Sequence, residues 1–309
     1  MSFEQVMNQY HANREIEMIS VDPEVFNDLW GGGIATGFMY SLWADAGVGK
    51  STLALQAARS FCKKGLKVLF IDVEKALNPW QKETFKLTKY EEDGLFYHVE
   101  ATNYKEAEDI CMSLTGDVVN LVVIDSISGL TPAIPKELSV DEVRPGLRAQ
   151  QESFFLNKIK NYFYSEKISS IVLFHARANI NMTGGTQPDV KQAGGFAALH
   201  YPDVITKLTS HAQIKGENDG EIIGKEVGIV CTKNKFAPPF KLRKKKLIFG
   251  VGISKRIDLI DSALENGIIT QSGAYFILPS GDKIRGRKAL YDVDASILKD
   301  IQFQLDSNR

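Results

Sequence analysis

Short, continuously apolar runs alternate with amphipathic stretches along most of this chain. "FMYSLW" (38–43) has no period-two relief and predicts a strand buried on both faces, and a helical pattern follows from Thr52 to Lys63. The alternation continues through "LKVLFID" (66–72), "LFYHVEA" (95–101), a helix from Tyr104 to Leu114 and "NLVVIDS" (120–126). A long helix from about Arg148 to Ser165 then leads into "SSIVLFHA" (169–176). Strands of this kind, separated by helices, predict an α/β fold with a mainly parallel central sheet covered on both faces. From about residue 204 the style changes, and "VITKL", "EVGIVCTK" and "KKLIFG" predict a meander that extends the sheet. After Gly252, a helix over "SKRIDLIDSALENG", a hairpin "AYFILPSGDKIRG" with a Ser-Gly-Asp turn and a final helix predict a small α+β domain.

At the other end, Phe3, Val6, Met7 and Tyr10 fall at i, i+3, i+4 and i+7, which predicts a short helix with one apolar stripe. The expected organisation is an N-terminal helix (1–18), a core (19–252) and a C-terminal domain (253–309). Two segments, about 132–147 and 178–200, are long and rich in Pro or Gly. Loops of that length inside a compact domain are usually functional or disordered.

Composition narrows the function classes. The chain has 309 residues, 44% hydrophobic and 24% charged, ordinary for a globular protein. No apolar run approaches the roughly 20 residues that span a bilayer, and the opening residues lack a signal-peptide profile, so no membrane role is expected. Cys62, Cys111 and Cys231 are few and far apart, which argues against a disulfide framework and fits a reducing, cytoplasmic setting. The net charge of −1 gives no global bias toward nucleic acid. Locally, Lys233, Lys235, Lys241, Arg243, Lys244, Lys245 and Lys246 lie in a stretch without an acid, a pattern that is most often a solvated face.

The candidate chemistry begins at "ADAGVGKST" (44–52), between a predicted strand and a predicted helix. Backbone amides of a Gly-rich turn opening a helix bind phosphate oxygens, a lysine adds charge and a hydroxyl holds Mg²⁺. Gly47 and Gly49 supply the turn, Lys50 the β/γ-phosphate contact and Ser51 the metal contact. The first position is Ala44 rather than glycine, which a position needing only a small residue tolerates. Asp125, closing "LVVID" and followed by Ser126, is the candidate carboxylate for the metal at the end of a buried strand. Glu74 lies just beyond the neighbouring strand and could orient the attacking water, with Asp72 the rival for that role.

Several stretches carry a resemblance. "FIDVEKALNP", "VVIDSISGLTP", "VCTKNKFAPPF" and the helix–hairpin ending are similar, in order from about Ile19 to about Leu290, to the RecA family of bacterial and phage recombinases. A diverged member of phage type is expected. The resemblance implies an ATPase that uses ATP and Mg²⁺, with a nucleotide site spanning Asp45, Ala46, Gly47, Val48, Gly49, Lys50, Ser51 and Thr52. Asn78 and Trp80, Asp125 and Ser126 would complete it, Trp80 stacking on the adenine or else lying in the core. It further implies self-association into a helical filament on single-stranded DNA, pairing and strand exchange with homologous double-stranded DNA, and possible single-strand-binding or loader proteins. Lys233 and Lys235 match two lysines that reach the neighbouring subunit's γ-phosphate. His175 matches the γ-phosphate sensor, or Ala176 after a shift of one. The two long segments match the family's DNA loops, with Arg144 and Arg148 as first-loop cations and Arg177, Ile180, Gly194 and Gly195 in the second. Gln150 and Asn157 stand where the family has arginines, and His200 replaces an aromatic. The N-terminal stripe would dock on the adjacent subunit. The alternatives left open are a RecA-fold helicase or translocase, a non-catalytic DNA-binding accessory protein and, last, a small-molecule kinase.

Overall fold

A computed structural model describes residues 16–133, 146–179, 189–192, 195–216 and 221–308. The expected N-terminal helix and most of the first long loop lie outside these residues, as do 180–188 and 193–194 of the second. The elements run β1 (Met18–Ile19), α1 (Glu24–Trp30), β2 (Ile34–Ala35), β3 (Met39–Ala44), α2 (Lys50–Lys63), β4 (Val68–Asp72), α3 (Pro79–Thr84), α4 (Thr88–Glu92) and β5 (Phe96–Glu100). They continue with α5 (Tyr104–Met112), β6 (Leu121–Asp125), a 3₁₀ turn (Ile127–Gly129), α6 (Leu147–Glu166), β7 (Ser169–Asn179), β8 (Asp189–Gln192), α7 (Gly195–His200), β9 (Val204–Lys215) and β10 (Ile222–Lys233). Last come β11 (Leu242–Ile248), β12 (Gly252–Ile253), α8 (Lys255–Glu265), β13 (Thr270–Ser272), β14 (Tyr275–Ile277), β15 (Lys283–Arg285), α9 (Arg287–Tyr291) and α10 (Ala295–Ser307).

The main sheet has the order β12-β11-β10-β9-β3-β7-β6-β4-β5. Strands β9, β3, β7, β6, β4 and β5 are parallel, and β10, β11 and β12 are antiparallel additions, so the meander extends the sheet as its sequence predicts. The continuous apolar strands bury alternate residues on opposite faces. Tyr40 and Leu42 of β3, Phe70 of β4 and Leu173 of β7 join one core with α1 and α2. Met39 and Trp43, Ile71, and Val172 and Phe174 join the other, with α5 and α6. Two apolar layers explain why these strands carry no polar alternation.

The C-terminal elements have a separate core around Leu259, Ile260, Phe276, Leu290 and Ile301. The sheet reaches Ile253 through β12, one residue past the expected boundary. The predicted hairpin is β14–β15, and β13 adds a third strand that the sequence pattern did not signal.

The basic run is not a free cationic face. Lys241 and Arg243 pair with Asp28 of α1, Lys244 lies 3.5 Å from Glu226, and Lys245 points inward to Asp258 of α8 at 3.0 Å. Asp258 also accepts the Val25 amide, so one buried carboxylate ties core helix α1, strand β11 and the C-terminal domain together. Burial pushes the Asp258 carboxyl up to about 6 against the pull of Lys245, and Asp258 and Glu265 hold Lys245 protonated despite its burial. Breaking a buried pair strands the remaining charge. Lys245→Met should therefore lose about 3–5 kcal/mol of stability in denaturant titration. Adding Asp258→Asn, which keeps an acceptor for Val25, should recover part of it; no recovery would mean that packing, not charge, sets the loss.

Candidate functional site

The carboxyl ends of the parallel strands gather the candidate residues. Ala44 ends β3 in register with His175 of β7, and Asp72 ends β4 in register with Asp125 of β6. Ligands of open α/β sheets bind at this edge.

Between β3 and α2 the chain turns through Gly47 (φ 70°) and Gly49 (φ 117°), a region where glycine alone is unstrained. A Cβ on Gly47 would meet nothing within 4 Å, so the turn borders open space there, whereas one on Gly49 would strike Leu247 at 2.5 Å. Asp45, Ala46 and Gly47 are exposed, Val48 is buried, and Thr52 is half-buried on the first turn of α2. Lys50 lies only 5% exposed, and its ammonium donates to the carbonyls of Ala44 and Asp45, both at 3.1 Å. Position 44 therefore acts as buried strand and carbonyl acceptor, a role alanine fills. Burial lowers the Lys50 pKa, while Asp125, Glu74 and Asp45 oppose that shift.

Asp125 is buried beside Lys50. Desolvation pushes its carboxyl up to about 6, the nearby Glu74 and Asp72 add to the rise, and a hydrogen bond donated by the Ser51 hydroxyl opposes it. Ser51 and Asp125 thus form the oxygen pair the sequence proposed for Mg²⁺, hard ligands suited to that ion. Among the described residues no group of three or more His, Cys, Asp or Glu side chains is placed to hold a metal. The Asp125–Ser126 peptide is cis.

Glu74 sits above this pair. Its Oε1 accepts the Ser126 hydroxyl at 2.7 Å and lies 2.6 Å from His175 Nε2. The His175 amide donates to Ser128 Oγ at 2.9 Å, so the 3₁₀ turn after β6 positions the end of β7. The rival carboxylate has another task. Asp72 accepts the amides of Ala76 and Leu77 at 3.2 and 2.9 Å and closes its own loop. Glu74 keeps a side chain 34% exposed, open toward the loop mouth.

Asn78 is the N-cap of α3. It accepts the Gln81 amide while Gln81 reaches back to the Asn78 amide, a reciprocal capping box. Its side chain is therefore engaged by α3. Trp80, on the same helix, is 64% exposed, which excludes the core reading and leaves its ring beside Gly250.

Lys233 and Lys235 sit at the other end of the sheet. Lys233 pairs with Ile205 and Ile205 with Ser41, while the Asp203 amide donates to Met39, the first residue of β3. Ser41 lies three residues from Ala44, about 10 Å of strand, and Met39 five, about 16 Å. Lys233 donates to the carbonyls of Leu199 and His200 at the end of α7, and Lys235 pairs with Asp203 at 2.6 Å. Burial would raise Asp203, but hydrogen bonds from Lys160 and Lys235 hold it below the usual carboxylate range. Burial lowers Lys233, and Lys160 adds to the shift.

The DNA-loop residues divide. Arg144, Ile180 and Gly194 lie outside the described residues. Arg177 is on β7 opposite Lys191 of β8, and Gly195 (φ 57°) opens α7, where a Cβ would meet nothing within 4 Å. Arg148, the described first-loop cation, is half-buried and donates to the Ser128 carbonyl. Its guanidinium also joins the Tyr104–Glu152 pair, in which Tyr104 donates to Glu152 at 3.1 Å. A first-turn arginine beside a buried tyrosine and glutamate is held by them; the linear spacing hid that partnership.

Sequence reasoning missed three contributors. Lys225 donates to the Gly47 carbonyl at 2.6 Å, Leu247 closes on Gly49, and Asp203 clamps Lys160 and Lys235. All depend on pairings between distant strands, and no local signal announces them.

The sheet order and this edge define an α/β protein of the RecA-like class, with a glycine-rich strand-to-helix turn at its carboxyl edge. The sequence matches the RecA N-terminal domain over residues 4–254. It is 30% identical to the protein RecA of Saccharopolyspora erythraea over 253 residues, 82% of this chain and 71% of that one. It is also 30% identical to the protein RecA of Thioalkalivibrio sulfidiphilus over 271 residues, 87% and 77% of the two chains. The chain belongs to the RecA family of recombinases, ATP-using, DNA-dependent ATPases, as a diverged member. Among the described residues no helix is long and apolar enough to cross a membrane.

Proposed function

We propose that this protein is an ATP-dependent recombinase that assembles on single-stranded DNA and pairs it with a homologous duplex. The observation that carries this reading is the two-ended geometry. One end of the sheet holds the Lys50, Ser51, Asp125 and Glu74 cluster; toward the other lie Lys233, level with Ser41 about 10 Å of strand away, and Lys235, beside Asp203 and Met39 about 16 Å away. Two lysines placed there complete a nucleotide site only on a neighbouring subunit, so the ATP site is a subunit interface.

Bound Mg-ATP supplies the anhydride to be cleaved and the cation's charge. The Gly47–Thr52 amides and Lys50 bind and orient the phosphates, and Ser51 and Asp125 hold the cation. Glu74 orients a water molecule and takes its proton on the carboxylate. His175, in contact with Glu74 Oε1, reports the state of the γ-phosphate to β7 and so to the segment after Asn179. Arg177 and the Gly195 amide serve DNA, and Trp80 covers the base.

The test is strand exchange between a single-stranded circle and a homologous linear duplex with Mg-ATP. Joint molecules are expected with ATP and not with ADP. Duplex unwinding without pairing would favour the helicase reading. DNA binding should also weaken steeply from low to high salt, since phosphate contacts release counterions.

A further inference from the structure

A groove between α8 and α10 adjoins the seam between the ATPase core and the C-terminal domain. Its cavity of about 380 Å³ is lined by Leu259 and Leu298 at the floor, with Lys255, Arg256 and Lys299 at the rim and Gln302 at one end. Lys255 and Gln302 also line a second cavity of about 220 Å³, which reaches Lys63 and Lys64 at the end of α2. Five exposed cations therefore follow one continuous track across the seam.

The facing carboxylates are fewer. Asp22 is buried and shared between Lys63 at 3.4 Å and Lys255 at 3.0 Å. Glu24 is buried and accepts Asn27 and Gln302, and Asp306 accepts Gln302 from the next turn of α10. Arg256 donates to the carbonyls of Tyr291 and Val293, two neutral acceptors that fix the guanidinium. Phe303 lies one turn beyond Lys299 on the same side of α10 and is 73% exposed.

We propose that this groove docks an acidic peptide segment of a partner protein, an apolar side chain on the leucine floor and carboxylates on the lysine track. Charge complementarity selects the acid, and the apolar floor with Phe303 separates a peptide from a phosphate backbone. A DNA strand would satisfy the lysines and leave the apolar surface uncovered, whereas an acidic peptide with leucines covers both. The groove lies away from the Lys50 loop, at the opposite end of α2, so occupancy is compatible with turnover.

The probe is a fluorescein-labelled peptide, Asp-Glu-Asp-Leu-Asp-Leu, followed by anisotropy against the full chain. Binding should weaken about tenfold in Lys299→Glu and again in Phe303→Ala, with DNA-stimulated ATPase unchanged in both. A peptide with serine in place of leucine should bind about tenfold more weakly. Equal binding to wild type and both variants, or no binding to wild type, would overturn the proposal. So would competition by a short duplex that displaces the peptide while the leucine-to-serine peptide binds as well, since that outcome assigns the track to phosphate.

Discussion

Lys50→Ala is expected to weaken ATP binding by at least about 100-fold and to remove ATP-dependent DNA binding with it. The ammonium is buried against the Ala44 and Asp45 carbonyls, poised at the open side of the loop, and a charge-assisted hydrogen bond to phosphate contributes about 1.5–3 kcal/mol. Two such bonds lost from a partly desolvated site give the stated factor. The fold should survive. Lys50 opposes the rise of the Asp125 carboxyl, so its loss raises Asp125 further. Calorimetric titration with ATP, beside a thermal melt, separates the two effects. A variant that melts like wild type and binds ATP equally well would remove Lys50 from the phosphate site.

Glu74→Gln should bind ATP and DNA normally while its turnover falls by roughly 10²–10⁴-fold, the range for a lost general base. The amide keeps an acceptor for the Ser126 hydroxyl, so the geometry at 2.7 Å is preserved while the proton acceptor is lost. The variant should consequently stay on DNA longer after ATP is added. Single-turnover hydrolysis and dissociation of labelled DNA measure both. Unchanged turnover would return the base role to another group, and Asp72 is already committed to the Ala76 and Leu77 amides.

Much of this was readable along the chain because it is local. Buried parallel strands leave continuous apolar runs, and β3, β4, β6 and β7 fall where those runs predict. The Gly47–Ser51 turn is legible because phosphate binding demands glycine, lysine and hydroxyl at fixed spacing within one strand-to-helix switch. What escaped is contact between distant segments. The basic run looks like a solvated face until α1 and α8 supply Asp28 and Asp258 to it. The bond from Arg148 to the Ser128 carbonyl could not be read from the linear spacing. Helices α1, α3 and α4 are short, and α3 is fixed by the Asn78 capping box more than by apolar periodicity. Trp80 could not be placed from sequence, because one exposed aromatic and one core aromatic look alike until the fold is known.

In the proposed assembly each ATP site is shared, one subunit giving the loop at the carboxyl edge and the next giving Lys233 and Lys235. Complementation between two variants distinguishes a shared site from a site built by one chain. Lys50→Ala supplies an intact lysine pair and a dead loop; Lys235→Ala supplies an intact loop and a damaged pair. Mixed in equal amounts on single-stranded DNA, they should hydrolyse ATP faster than the sum of the two alone, because some interfaces join the intact loop of one to the intact lysines of the other. Mixtures that never exceed that sum, across a range of ratios, would contradict the shared site and leave Lys233 and Lys235 as ligands of Asp203 and the α7 carbonyls within their own chain.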